Sequence, residues 1–207
     1  MREPIKIRWL GHACFQIEKG AYSLVIDPYA PGSVPGLKPI HADANLVLCS
    51  HGHSDHSCTE AVTLHDAGVC PFLISKIQTF HDDRNGALRG PNTIHILESD
   101  GVRIVHFGDL GCPLTDEQAA ALQGIDVALL PVGGFYTIDA AAAKATADRI
   151  GAKVVIPMHY RTAQFGLKPI GTLDDFLALC PSAVRLGRDS FTVGEIDRGV
   201  VVLDCPT

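Results

Sequence analysis

Four side chains able to bind a metal ion fall within six residues in Ser50-His51-Gly52-His53-Ser54-Asp55-His56-Ser57, directly after the apolar run Leu46–Cys49. In an extended segment, residues two apart project to one side, so His51 and His53 can grip one ion together. A turn after His53 carries Asp55 and His56 toward a second ion nearby. Imidazole and carboxylate in this mixture suit zinc, manganese or iron better than calcium. The rival reading is a polar loop with incidental histidines. Three histidines and an aspartate in this order within so short a span speak against it.

Two coordination shells need more than four ligands. Three further candidates each follow an apolar or strand-like run: His81 after Phe72–Phe80, Asp109 after Ile104–Gly108, and His159 after Val154–Met158. Ligands at the ends of successive strands converge on one edge of a sheet, where α/β proteins tend to place their sites.

The rest of the chain must hold these ends in place, and it reads as short β-branched runs broken by Gly, Pro and Asp clusters. Strands are predicted at Ile5–Trp9, Cys14–Ile17, Ser23–Ile26, Leu46–Cys49, Phe72–Ile74 and Thr93–Leu97 in the first half. Those of the second half are Arg103–Phe107, Val127–Leu130, Val154–Pro157, Ser190–Val193 and Gly199–Leu203. Helices are predicted over Cys58–Ala67, Thr115–Ala121, Ile138–Ile150 and Thr172–Leu179, several with a capping Thr or Ser at or near the start. Thr172-Leu173-Asp174-Asp175 also has an acid where a capping box favours one. Strands and helices interleave throughout, and no Pro/Gly/Ser linker divides the chain. A single layered α/β domain over residues 1–207 is expected.

The 207 residues suffice for one sizeable core, with 46% hydrophobic and 19% charged residues and no low-complexity run. A net charge of −6 argues against a nucleic-acid binder. It leaves small anionic substrates open, because divalent cations override formal charge locally. Seven cysteines (Cys14, Cys49, Cys58, Cys70, Cys112, Cys180, Cys205) form no CxxC pair, so neither a zinc ribbon nor a disulfide framework is suggested. The residues from Met1 to Leu10 lack the apolar core of a signal peptide, and no later run is long enough to span a bilayer. The expectation is a cytoplasmic protein without a membrane partner.

His-x-His-x-Asp-His is similar to the hallmark of the metallo-β-lactamase superfamily. The wider pattern resembles its branch of small metal-dependent hydrolases related to ascorbate-6-phosphate lactonase. The matching pieces run in order across most of the chain. They are Trp9-Leu10-Gly11-His12-Ala13-Cys14-Phe15, Leu24-Val25-Ile26-Asp27-Pro28, Arg89-Gly90-Pro91-Asn92-Thr93, His106-Phe107-Gly108-Asp109-Leu110-Gly111, Leu130-Pro131-Val132-Gly133-Gly134 and Ile156-Pro157-Met158-His159-Tyr160. The resemblance implies a four-layer αββα sandwich with metals at one edge. It implies two divalent ions, zinc foremost with manganese or iron as alternatives. His51, His53 and His81 would hold the first, Asp55, His56 and His159 the second, and Asp109 would bridge them. The short gap from His56 to His81 looks like this branch rather than the glyoxalase II or true β-lactamase branches. Cys112 departs from the histidine that many relatives carry just after Gly-Asp-Leu-Gly.

Other residues carry weaker expectations. His12 and Asp27 are read as groups that orient a ligand rather than as ligands, although a structural hydrogen bond serves His12 equally well. Alternation points His106 away from Asp109, and His41, His65 and His95 are assigned to the surface or loops. Gly133-Gly134-Phe135-Tyr136-Thr137 is a candidate close-approach loop, with Gly134 and Tyr136 as substrate contacts. A tight turn into the following helix is its plainer reading. Tyr160 and Arg161 are candidate contacts too, Arg161 for an anionic group.

By the resemblance, the expected chemistry is hydrolysis of a small ester, a lactone or a phosphodiester, by a hydroxide shared between two ions. Asp55 and Asp109 are the expected catalytic carboxylates. Long RNA or DNA and penicillins are not expected substrates. Two rivals on the same fold are a non-catalytic metal-binding or sensing module and a di-iron oxygen-binding protein. The first is disfavoured because all seven ligand positions are filled, the second because no flavin segment is present. A homo-oligomer is compatible with the resemblance.

Overall fold

The computed structural model describes residues 3–66 and 68–206. Its strands in chain order are β1 Ile5–Gly11, β2 Cys14–Lys19, β3 Tyr22–Ile26, β4 Ala42–Ala44, β5 Leu46–Leu48, β6 Val62–Leu64, β7 Leu73–Phe80, β8 Pro91–Ser99, β9 Val102–His106, β10 Val127–Pro131, β11 Val154–Met158, β12 Val184–Arg185, β13 Ser190–Thr192 and β14 Gly199–Val202. The helices are α1 Asp116–Ala121, α2 Ala140–Ile150 and α3 Leu173–Leu177.

One sheet has five strands in the order β13-β1-β2-β3-β5, and the other has seven in the order β12-β14-β11-β10-β9-β8-β7. Alternation builds the first: along β1, Ile5, Ile7 and Trp9 are buried while Lys6 and Arg8 are exposed. In the second, β10 and β11 are apolar and buried throughout, as central parallel strands covered on both faces must be. The main core lies between the sheets, where Phe15, Ile17, Leu24 and Ile26 meet Ile104, Val127, Leu129 and Ile156. Helix α2 packs on β10, flanked by α1 and α3.

The sheets and this helical layer give the expected αββα class, with one difference. The opposite outer face, presented by Cys14 and Val25, is covered by Tyr29, Val34, Ile40, Ala44 and Val62. A loop and the small β4–β6 ribbon therefore form the fourth layer. This corrects the helix expected over Cys58–Ala67, of which Ala67 lies outside the described residues. A single 3₁₀ turn, Thr59–Ala61, leads into β6. There Val62 is buried and pairs with Ala42, so a β-branched pair and a sheet partner override the helical pattern.

The helix starts follow their capping residues. The Asp139 side chain accepts from the Ala142 N–H at 2.8 Å, and Thr115 and Gln118 cap α1 reciprocally. The strand expected at Phe72–Ile74 instead runs eight residues to Phe80 and pairs along its length with β8. Its Ser, Lys, Gln and Thr residues hide it from a hydrophobic pattern because it is an edge strand with one open face.

Candidate metal centre

Six turns meet at one rim of the sandwich. His12 sits in the β1–β2 turn, Asp27 directly follows β3, and His51 to His56 follow β5. From the other sheet come His81 after β7, Asp109 after β9 and His159 after β11. His12, Asp27 and His159 all adopt left-handed backbone conformations, with φ of 52°, 52° and 54°. Non-glycine residues bear such strain where the surroundings dictate it, commonly at functional sites.

The ligand atoms fall into three overlapping groups, each within 4.8 Å: His51, His53 and His81; His51, His56 and Asp109; and His12, Asp55, His56 and His159. Asp109 is the hub. Its Oδ2 lies 3.1 Å from His81 Nε2, 3.2 Å from both His56 Nε2 and His159 Nε2, and 4.0 Å from His51 Nε2. All seven residues read as ligands from the sequence are thus brought together, and His12 joins them, its Nε2 3.3 Å from Asp55 Oδ2.

The donor atoms fit a cation better than they fit one another. His51 Nε2, His56 Nε2, His159 Nε2 and Asp109 Oδ1 are buried without a hydrogen-bond partner, as are both ring nitrogens of His12. Each such group costs roughly 1–3 kcal/mol when left unsatisfied. A metal ion accepting their lone pairs removes that cost, and imidazole with carboxylate is a zinc, manganese or iron donor set.

Hydrogen bonds behind the ligands fix which atom each presents. His56 Nδ1 donates to Asp27 Oδ2 at 2.9 Å, leaving Nε2 for the site. Asp27 also accepts from the Ser50 N–H and hydroxyl, both at 2.6 Å. His81 Nδ1 donates to the Tyr136 carbonyl at 3.1 Å. Asn92, fully buried, accepts from the Asp109 N–H at 2.9 Å while its amide donates to the Phe107 carbonyl and Thr79 hydroxyl. Gly108 is required beside it: at φ 55°, an added Cβ would lie 2.4 Å from Asn92 Oδ1.

The electrostatics follow from this packing. Burial and the neighbouring His159 lower the His12 imidazole to about 4. Burial and His56 bring His51 down to about 3, so both present neutral, ligand-ready rings. Burial alone would also lower His56, but the carboxylates of Asp109 and Asp27 outweigh it and raise its pKa well above the usual imidazole value. For Asp27, burial pushes upward, but His56 and His106 prevail and hold it at about 2.

A cavity of about 550 Å³ opens onto this cluster, lined among others by His53, Asp55, His81, Asp109, Arg89, Tyr136 and Leu167. Tyr136 is part of this lining, and Gly134 lies two residues away, packed on Asp139. Tyr160 and Arg161 do not line this cavity. Tyr160 is buried against Trp9 and Phe165, with ring centroids 5.5 and 6.1 Å away, because the left-handed turn at His159 sends the next side chain into the core. Arg161 is exposed and donates from Nε to the Ile170 carbonyl at 2.7 Å. Cys112 is not among the clustered ligand atoms; its thiol faces the Phe80 carbonyl at 3.7 Å.

His106 points as alternation foretold, donating to the Ala13 carbonyl of the opposite sheet at 2.8 Å. His95, assigned to the surface or a loop, is instead buried in β8 and donates to the Cys49 carbonyl at 3.0 Å. It lies on an interior strand paired with β9, whose existence makes the position inward.

The rim cluster and the layered sheets have a family counterpart. Residues 6–159 match the Beta-lactamase superfamily domain, and the chain belongs to the metallo-β-lactamase superfamily. Within that class it is similar to proteins named UPF0173 metal-dependent hydrolase. The one from Methanoregula boonei is 35% identical over 75% of this chain and 82% of its own. That from Thermoplasma acidophilum is 30% identical, covering 77% and 85%. A crystal structure of a superfamily member from Thermotoga maritima is 33% identical, with a TM-score of 0.74 across 97% of this chain and 99% of that one. Igni18, a metallo hydrolase from Ignicoccus hospitalis, shares the fold at 22% identity and a TM-score of 0.62, covering 92% and 97%. The chain is thus a metal-dependent hydrolase of this superfamily. No helix among the described residues is long and apolar enough to cross a membrane.

Sequence reasoning passed over Asp82, whose carboxylate accepts four backbone N–H groups, from Arg84, Gly86, Leu88 and Arg89, at 2.8–3.0 Å. It also assigned no role to Arg89 or Asn92. The available signal was their place in Arg89-Gly90-Pro91-Asn92-Thr93, a polar motif wedged between a ligand and a strand.

Proposed function

We propose that the centre holds two divalent ions, zinc foremost, and that the protein hydrolyses a small ester, a lactone or a phosphodiester, in the cytoplasm. The observation that carries this reading is the position of Asp109, whose Oδ2 lies 3.1 Å from His81 in one group and 3.2 Å from His56 and His159 in another. A carboxylate so placed is suited to join two coordination shells. His51, His53 and His81 would hold one ion, and Asp55, His56 and His159 the other. When bound, the ions supply Lewis acidity for the scissile group and lower the pKa of water.

The chain's own residues do the rest. Asp27 and the Tyr136 carbonyl lock His56 and His81 with Nε2 inward, which avoids reorganisation during turnover. Asp109 holds the two halves of the site together and is placed to take a proton from the attacking water and pass it to the departing oxygen. Asp55, partly exposed at the cavity floor, is the second carboxylate within reach of substrate. The cavity's size suits a small molecule.

Elemental mass spectrometry of protein purified without added metal tests the reading, together with assays on bis(p-nitrophenyl) phosphate and a lactone panel. About two equivalents of metal with chelator-sensitive turnover are expected. Metal content that survives both His53→Ala and Asp109→Ala would overturn it.

A further inference from the structure

We propose that Arg89 binds an anionic group on the non-reacting end of the substrate, so that the preferred ester carries a carboxylate or phosphate besides its scissile bond. This rests on the reading of the cavity as the place where substrate meets the ions.

Arg89 lines the same cavity as Asp55, His81 and Asp109. Its guanidinium lies 5.3 Å from the centre of the Tyr136 ring. It makes no ion pair with any described residue, unlike Arg8, Arg103, Arg149, Arg185 and Arg188, each of which has a carboxylate partner. A part-buried guanidinium with its donors uncommitted is matched by a planar anion such as carboxylate or phosphate.

The backbone around it is fixed. The Arg89 N–H donates to Asp82 Oδ2 at 2.8 Å, and the Gly90 carbonyl accepts from the His81 N–H at 3.1 Å. Tyr136, the platform beneath the guanidinium, is tied to the His81 ring through its carbonyl. The cation is therefore held at a set place relative to a metal ligand, which is what selecting substrates by length and charge requires.

The test compares the mono-p-nitrophenyl ester of succinic acid with the p-nitrophenyl ester of isocaproic acid, which matches it in shape but lacks the charge. Binding of succinate and inorganic phosphate to the zinc-loaded protein is followed by calorimetry. In Arg89→Ala, kcat/KM for the charged ester should fall roughly 10- to 100-fold, mostly through KM, with less than about threefold loss on the neutral ester. Arg89→Lys should recover part of the loss, keeping the charge without the fork. Zinc content should not change. The relative weakening of succinate and phosphate distinguishes the two anions.

Equal losses on both esters, or anion binding that is absent or unaltered by Arg89→Ala, overturns the proposal. Arg89-dependent anion binding with neither ester hydrolysed would retain the subsite and defeat the hydrolysis reading instead.

Discussion

Asp27 and His56 form a fully buried pair, with the carboxylate Oδ2 2.9 Å from the imidazole Nδ1. Asp27 reaches that position only because its backbone turns left-handed straight after β3. It is anchored there by the hydroxyl and N–H of Ser50. The pair sets which nitrogen His56 offers to the rim, and the Asp27 carboxylate acts with that of Asp109 to favour the charged form of that ring.

Asp27→Asn tests this support without touching a proposed ligand. Loss of the buried charge and of the tautomer lock should weaken metal affinity roughly 10- to 100-fold. Competition against a chromophoric chelator measures it, and unchanged affinity would mean the pair has no part in presenting His56.

Proton release gives a second prediction. In the metal-free protein His56 is charged at neutral pH, because Asp109 and Asp27 outweigh the effect of burial. A cation must displace that proton, so zinc binding near pH 7 should release about one proton, read from the buffer dependence of the calorimetric enthalpy. The linked stability has a definite sign. A raised folded pKa stabilises the metal-free fold fully below the ordinary value of 6.5, and this is lost as pH rises through the folded value. Asp27 acts oppositely: its contribution is present above 3.8 and disappears as pH falls through about 2. Metal-free protein should therefore weaken on both flanks.

Gly108→Ala should be costly well beyond one methyl group. The new Cβ would stand 2.4 Å from Asn92 Oδ1 and 2.5 Å from the Ser50 Cβ, at a φ of 55°. Overpacking plus left-handed strain implies a loss of about 2–4 kcal/mol. It should appear in the denaturant midpoint of the metal-free protein, with reduced metal content because Asp109 follows directly.

Tyr160→Phe should leave KM and metal content within about twofold, since the residue contributes its ring to the Trp9 and Phe165 cluster rather than to the cavity. Steady-state kinetics on the best substrate would check this. A large rise in KM would return Tyr160 to the substrate's side.

The candidate ligands were legible because chemistry leaves short-range traces. His51 to His56 sit within six residues, and His81, Asp109 and His159 each follow closely on the end of a strand. The central strands were legible for the same reason, being buried on both faces. What escaped depends on contacts between distant segments. The β4–β6 ribbon is short and pairs residues 20 apart, so only the folded chain shows that Val62 is inward. His95 looks like any polar residue until β9 is laid beside it. Tyr160 and Arg161 were placed by adjacency to His159, and a single left-handed residue cancels adjacency. Arg89 is near nothing chemical in sequence except His81, eight residues earlier, and Asp82 folds that interval back on itself.

The ligand set is divided between the two sheets, with His51 to His56 hanging from one and His81, Asp109 and His159 from the other. Neither half of the chain owns a complete site. An ion held there would work as a buckle across the seam of the sandwich, meeting donors from both sheets only when they have closed in alignment. The full donor set is therefore assembled only in the closed sandwich.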